Sequence, residues 1–156
     1  MKNLIHRAFA AGIHLAILLV ALLCLAGCEH DGHSDGLPYK EAEHYFLRND
    51  VDGRNVPVQI KTQRDFNRYF GMAAVMGGQP TPIDFDRQFV IAIVLPETNH
   101  TTTIHPGTLT DKGDSLQLEY GVSVDPAENT WTSVPLSLLV VDRRYERPSV
   151  ALLRKD

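Results

Sequence analysis

Cys28 stands directly behind Leu25-Ala26-Gly27, and the stretch that follows it, Glu29-His30-Asp31-Gly32-His33-Ser34-Asp35-Gly36, interleaves imidazoles with carboxylates. A thiol behind small residues suits enzymatic modification, and His30, Asp31, His33 and Asp35 have the donor chemistry of a metal site. The stretch holds too little apolar surface to offset the entropy of ordering it, so it reads as a solvated tether with no metal. Beyond it the histidines are His44, His100 and His105. A strand would point the last two to opposite faces, because they are an odd number of positions apart. Glu41, Glu43, Asp84, Asp86, Glu97 and Glu119 show no spacing that forces two carboxylates together, although a fold can assemble such a pair. Asp84, just ahead of an apolar run, suits bonding to backbone amides at the start of a strand. Gly-x-Ser-x-Gly, His-Glu-x-x-His and a glycine-rich phosphate loop are all missing, so the expectation is a non-catalytic protein without a cofactor.

The elements that would carry these residues begin with a segment expected to be removed. Lys2 and Arg7 precede an apolar run over 8–27 that closes on Leu25-Ala26-Gly27-Cys28. A charged start, an apolar middle and small residues before the cut form the layout of a signal peptide. The closing residues resemble the bacterial lipobox, which implies cleavage before Cys28, a diacylglycerol on its sulfur and acylation of the new amine. Two or three acyl chains, at about 0.8 kcal/mol per buried methylene, hold a protein on a membrane where one chain does not. The organisation expected is a signal peptide over 1–27, a lipid-anchored tether over 28–37 and a single domain over 38–156. Glu29 after the Cys, in place of Asp, favours an outer-membrane address.

Removing 27 of 156 residues leaves 129, enough for one domain with a core. Loss of Lys2 and Arg7 takes the formal net charge from −4 to −6, which disfavours nucleic acid as a partner. Cys24 leaves with the signal and Cys28 is acylated, so no cysteine chemistry remains.

From Leu37 onward the pattern is strands with one helix. Tyr45-Phe46-Leu47 and the alternating Val56, Val58 and Ile60 flank a stretch ending in Asp52-Gly53, which predicts a hairpin. Thr62 three residues before Asp65, with Phe66 and Phe70 one turn apart, predicts an amphipathic helix over 62–70 ended by Gly71. Residues 72–82 read as a loop. The apolar run over 89–95 predicts a strand covered on both faces. Leu116, Leu118, Tyr120, Val122 and Val124 alternate along a half-buried strand. Lys112-Gly113-Asp114 joins it to a Thr-rich strand over 101–109, and a turn over 125–129 would join it to 131–141, completing a meander. The last segment, 148–153, suits an edge strand. The fold class expected is α+β, a mostly antiparallel sheet with one short helix, able to curl into a barrel-like sandwich.

Pro82-Ile83-Asp84-Phe85, the apolar strand over 89–94, the stretch Val134-Pro135-Leu136-Ser137-Leu138-Leu139-Val140-Val141 and the helix before them resemble the small PrcB-type domain. Members of that family occur as lipoproteins, and its namesake is a non-catalytic subunit of a surface protease complex. The resemblance therefore implies a protein partner, with a protease as its class. Many members carry a Gly-Gly-Tyr turn where this chain has Pro96-Glu97-Thr98-Asn99-His100, so the fold transfers more readily than the partner.

The binding candidates are Trp131, between two threonines beyond the 125–129 turn, and Met72 and Met76, whose side chains suit adaptable contacts. Each also has a core alternative: Trp131 lying across the sheet, the methionines packing on the helix. Asp114-Ser115-Leu116 resembles the O-glycan acceptor tripeptide of Bacteroidetes, which would place a sugar on Ser115. A lipid-anchored interaction module and a hydrolase or small-ligand binder with a site invisible in sequence are the two function classes that remain.

Overall fold

The computed structural model describes residues 36–73 and 78–155. Cys28, the tether as far as Asp35, and Met76 lie outside the described residues. In chain order the elements are β1 (Lys40–Glu41), β2 (Tyr45–Leu47), β3 (Gln59–Ile60), helix α1 (Gln63–Tyr69), β4 (Phe70–Met72), β5 (Gln88–Val94), β6 (Thr98–Asp111), β7 (Ser115–Ser133), β8 (Leu136–Asp142) and β9 (Ser149–Arg154).

Helix α1 starts where the sequence says it should. Thr62 is extended (φ −135°, ψ 147°), and its hydroxyl oxygen accepts from the Asp65 backbone N–H at 3.1 Å. This fills one of the donors that an α-helix leaves open at its N-terminus. The helix buries Phe66, and Phe70 passes directly into β4.

The antiparallel pair β5 and β8 is the spine of the molecule, in continuous register from Gln88↔Asp142 to Val94↔Leu136. Both faces are covered, as the unbroken apolar run predicts. On one face Phe89, Ile91, Ile93, Leu139 and Val141 meet Leu109, Leu116 and Leu118. On the other, Val90, Ala92 and Leu138 meet Leu47, Ile60, Phe66 and Phe70. At about 1.5 to 3 kcal/mol for each large apolar side chain removed from water, these two interfaces are the main source of stability.

The strands form an open four-stranded sheet, β1-β8-β5-β3, an open three-stranded sheet, β6-β7-β9, and the separate pair β2-β4. The class is α+β with mostly antiparallel pairing, and the sheets do not close into a barrel.

Two predicted connections differ. Tyr45–Leu47 does not form a hairpin with the strand after Gly53; it pairs with Phe70–Met72. The Asp52 carboxylate instead accepts from Arg54 N–H at 3.0 Å and starts a single 3-10 turn over Gly53–Asn55, so the Asp-Gly step is spent locally. Ile60 then joins the spine opposite Val90, where it is buried. The meander also ends one strand early. Asp125, Pro126 and Asn129 lie inside the long strand β7, and only after Val134-Pro135 does the chain enter β8, in a different sheet. Register shifts between Thr98 and His100 and between His100 and Thr102 absorb the extra residues as bulges.

Arg143 ties three of these parts together. Its Nη2 donates to the carbonyls of Lys61 (2.8 Å) and Phe85 (2.7 Å), and Nη1 donates to Glu146 at 3.0 Å, which in turn meets Lys61 Nζ at 2.7 Å. The junction before α1, the turn before β5 and the end of β8 are thus held by one side chain. Among the described residues no helix is long and apolar enough to cross a membrane.

Candidate functional site

β6 and β7 form a ribbon held at both ends: its turn packs on the core, and beyond Thr98↔Ser133 its strands run into β5 and β8, where Leu95 N–H donates to the Pro135 carbonyl at 2.9 Å. Near its turn, Leu109, Leu116 and Leu118 are fully buried. Gly113 makes that turn with φ +89°, a conformation open to glycine. Away from the turn the alternation of buried and exposed positions stops: residues 123–128 and 130–132 are exposed whichever face they point to. Neither core cluster includes any residue from 121 to 133. Trp131 is 55% exposed there and Val124 53%. Trp131 is thus an exposed aromatic outside both core clusters.

Polar cross-strand bonds hold this exposed stretch. Thr132 donates its hydroxyl to Glu97, Asn129 Nδ2 donates to Thr101 Oγ1 at 3.2 Å, and His100 Nδ1 lies 3.1 Å from the Asp125 carbonyl. β9 pairs with β7 only over Ser115 to Tyr120, so the outer edge of β7 from 121 onward has no strand partner among the described residues. Over 121–124 this edge keeps regular register with β6, from His105↔Gly121 to Thr102↔Val124.

A cleft of about 590 Å³ opens where the ribbon meets β5 and β8, lined by Val51, Gly53, Val94, Leu95, Pro96 and Val134 with Asp52, Arg54 and Glu97 on its charged side. Gly53 is required here, since a Cβ would fall 2.8 Å from Val94 Cγ1. Arg54 chelates Asp52 with Nη2 at 2.7 Å and Nε at 3.1 Å, which holds the Asp52 carboxyl below its usual 3.8. Glu97, a wall of the cleft, is the carboxylate that Thr132 binds, so Trp131 is the chain neighbour of the residue that fastens the cleft to the ribbon.

Met72 is 70% exposed at the end of β4 and lines a second cleft, of about 610 Å³, beside Gln63, Phe66 and Asn67. It belongs to the β2-β4 pair and Trp131 to the β6-β7-β9 sheet, so the two candidates lie on separate sheets. Ser115 is half-buried at the start of β7, next to fully buried Leu116. Asp84 is exposed, and its Oδ1 accepts from Asp86 N–H at 3.0 Å, the backbone role expected of it. His44 takes a left-handed φ of +64° between β1 and β2, a turn position.

One pairing has no sequence signal. His105 Nε2 lies 2.8 Å from Ser123 Oγ, a diagonal contact across the ribbon, since Ser123 itself sits opposite Thr103. A serine hydroxyl on an imidazole is the first half of a nucleophilic dyad. Both residues are exposed, and neither lines the clefts described above. The contact depends on which residues face each other across the ribbon, which residue spacing alone does not reveal. Among the described residues, no group of three or more His, Cys, Asp and Glu could hold a metal ion.

Comparison of the chain with family models, with characterised proteins and with solved structures returns no match.

Proposed function

We propose that this chain is a non-catalytic, lipid-anchored protein of the cell envelope that binds a partner protein through the exposed stretch of the β6-β7 ribbon and the cleft where that stretch meets β5 and β8. The observation that carries the reading is Trp131, a large aromatic 55% exposed on a ribbon with solvent on both faces. Such a side chain does nothing for this core, and exposed aromatics beside a concave apolar site are the usual anchors of protein interfaces. Cys28 supplies the anchor, and the tether over 28–37 gives the domain reach from an outer-membrane surface. The likeness of 82–94 and 134–141 to the PrcB-type domain supports a protease or protease complex as the partner, which this protein would stabilise or regulate.

Crosslinking and pull-down from the native cells, with wild type and Trp131→Ala in parallel, tests the proposal. Loss of roughly 2 kcal/mol of binding is the scale of an interface hot spot. Stability should stay within about 0.5 kcal/mol, as for an exposed substitution. Undiminished capture by Trp131→Ala would sink the ribbon as the binding surface.

A further inference from the structure

We infer that the exposed stretch of the ribbon takes an extended polypeptide segment bearing lysine or arginine; the inference rests on the binding role proposed above and adds the chemistry of what is bound.

Across 96–105 and 121–133 the ribbon carries Glu97, Asp125 and Glu128, and every lysine and arginine of the described residues lies elsewhere. The rest of the described chain interleaves both signs, and its acids largely sit in ion pairs: Glu43, Asp50, Asp52, Asp84, Asp111, Glu119, Asp142 and Glu146 each lie within reach of a basic group. No ion pair among the described residues includes Glu97, Asp125 or Glu128. Glu97 and Asp125 spend one oxygen each on Thr132 and on the Ala127 N–H, neutral donors that leave the charge in place. Uncompensated carboxylates on one projecting element produce a field of one sign, which steers and holds cations.

Trp131 sharpens the preference. An indole face attracts guanidinium and ammonium groups, most strongly where carboxylates nearby complete the shell. The main chain adds a second element. Tyr120 presents its carbonyl to the β9 side, accepting from Lys155 N–H at 2.8 Å. By strand alternation Val122 and Val124 direct their backbone groups to the same side, where no strand follows, and Asp125 comes next. A segment added there gains main-chain hydrogen bonds while its cations meet the acids beyond. The bulges and Pro126 limit regular pairing to this short stretch, which favours a peptide segment over a long edge-to-edge sheet.

Trp131 is the only tryptophan in the chain, so its fluorescence reports from the site itself. The probe is a synthetic peptide alternating arginine and threonine, with serine replacing arginine in the control, titrated into the soluble domain. Saturable change in Trp131 emission with the arginine peptide, absent with the control and weakened by added salt, is expected. Asp125→Asn with Glu128→Gln removes two charges and keeps the acceptor for Ala127 N–H; it should weaken binding about fivefold or more. Asp86→Asn with Asp114→Asn changes net charge equally at exposed sites outside this stretch and should leave binding near wild type. Equal loss in both double variants, no response to the peptide, or binding that leaves Trp131 emission unchanged would each overturn the inference. In the pull-down from cells, capture lost in Trp131→Ala but kept in Asp125→Asn with Glu128→Gln would overturn the basic-segment inference alone; capture kept in both would overturn the binding role as well.

Discussion

Arg147, in the segment leading into β9, grips Asp111 at the end of β6: Nε donates to Oδ1 at 3.1 Å and Nη2 donates to Oδ2. The two lie 36 residues apart in sequence, and the pair fastens the crossover that brings β9 in parallel to β7. A parallel strand has no tight turn to set its register, so a bidentate guanidinium–carboxylate pair at its approach supplies what the missing turn cannot.

The first prediction follows from that pair. The Arg147 guanidinium, and then the Gly113 N–H, hold the Asp111 carboxyl below its ordinary 3.8. A depressed folded value contributes stability that is present above the unfolded value and is lost as pH falls through the folded one. Asp111→Asn should therefore lower stability at neutral pH and flatten its fall in the acid range below about pH 4. Denaturant melts across that range check it. Curves for wild type and variant that stay parallel would contradict the role given to the pair. Asp50 and Asp52, lowered by Arg48 and Arg54, keep part of the acid dependence in the variant.

A second prediction concerns the face of the spine beneath α1. Phe66 is 2% exposed and its ring lies 5.1 Å from that of Tyr45, 5.2 Å from Phe70 and 5.6 Å from Phe85. Truncating it opens a cavity among rings that cannot collapse inward, so Phe66→Ala should cost about 3 to 5 kcal/mol in a chemical melt. A loss below about 1 kcal/mol, the scale of a surface change, would place the helix outside the core.

Gly113 separates backbone strain from steric clash. A Cβ at this position meets nothing within 4 Å, but its φ is +89°. Gly113→Ala should lower stability by about 1 to 2 kcal/mol through conformation alone. An unchanged melting curve would show that the ribbon turn relaxes freely.

The anchor has its own test. Cys28→Ser should abolish incorporation of labelled fatty acid and leave an uncleaved or mislocalised precursor. Normal fractionation of that variant with the outer membrane would refute lipidation at this residue.

What residue order alone determined were features whose causes lie within a few residues. Thr62 and Asp65 cap α1 because hydroxyl and amide are three positions apart on any helix start. Residues 89–94 read as a doubly covered strand because no polar side chain interrupts them, and Lys112-Gly113-Asp114 turns because Gly113 tolerates positive φ. Tertiary structure decided the pairings. The same turn-forming residue types at 125–129 became bulges inside β7, and the Asp52-Gly53 step became a 3-10 turn, because the partner strand lay far along the chain in each case. β2 found β4 and β3 found β5 through the burial of Leu47 and Ile60 against the two sides of α1's packing, a gain that local spacing cannot signal. The exposure of Trp131 belongs to this second group. Whether an aromatic near the end of a strand covers a core or meets solvent depends on what packs beneath it, and here neither core cluster includes a residue of β7 beyond Tyr120.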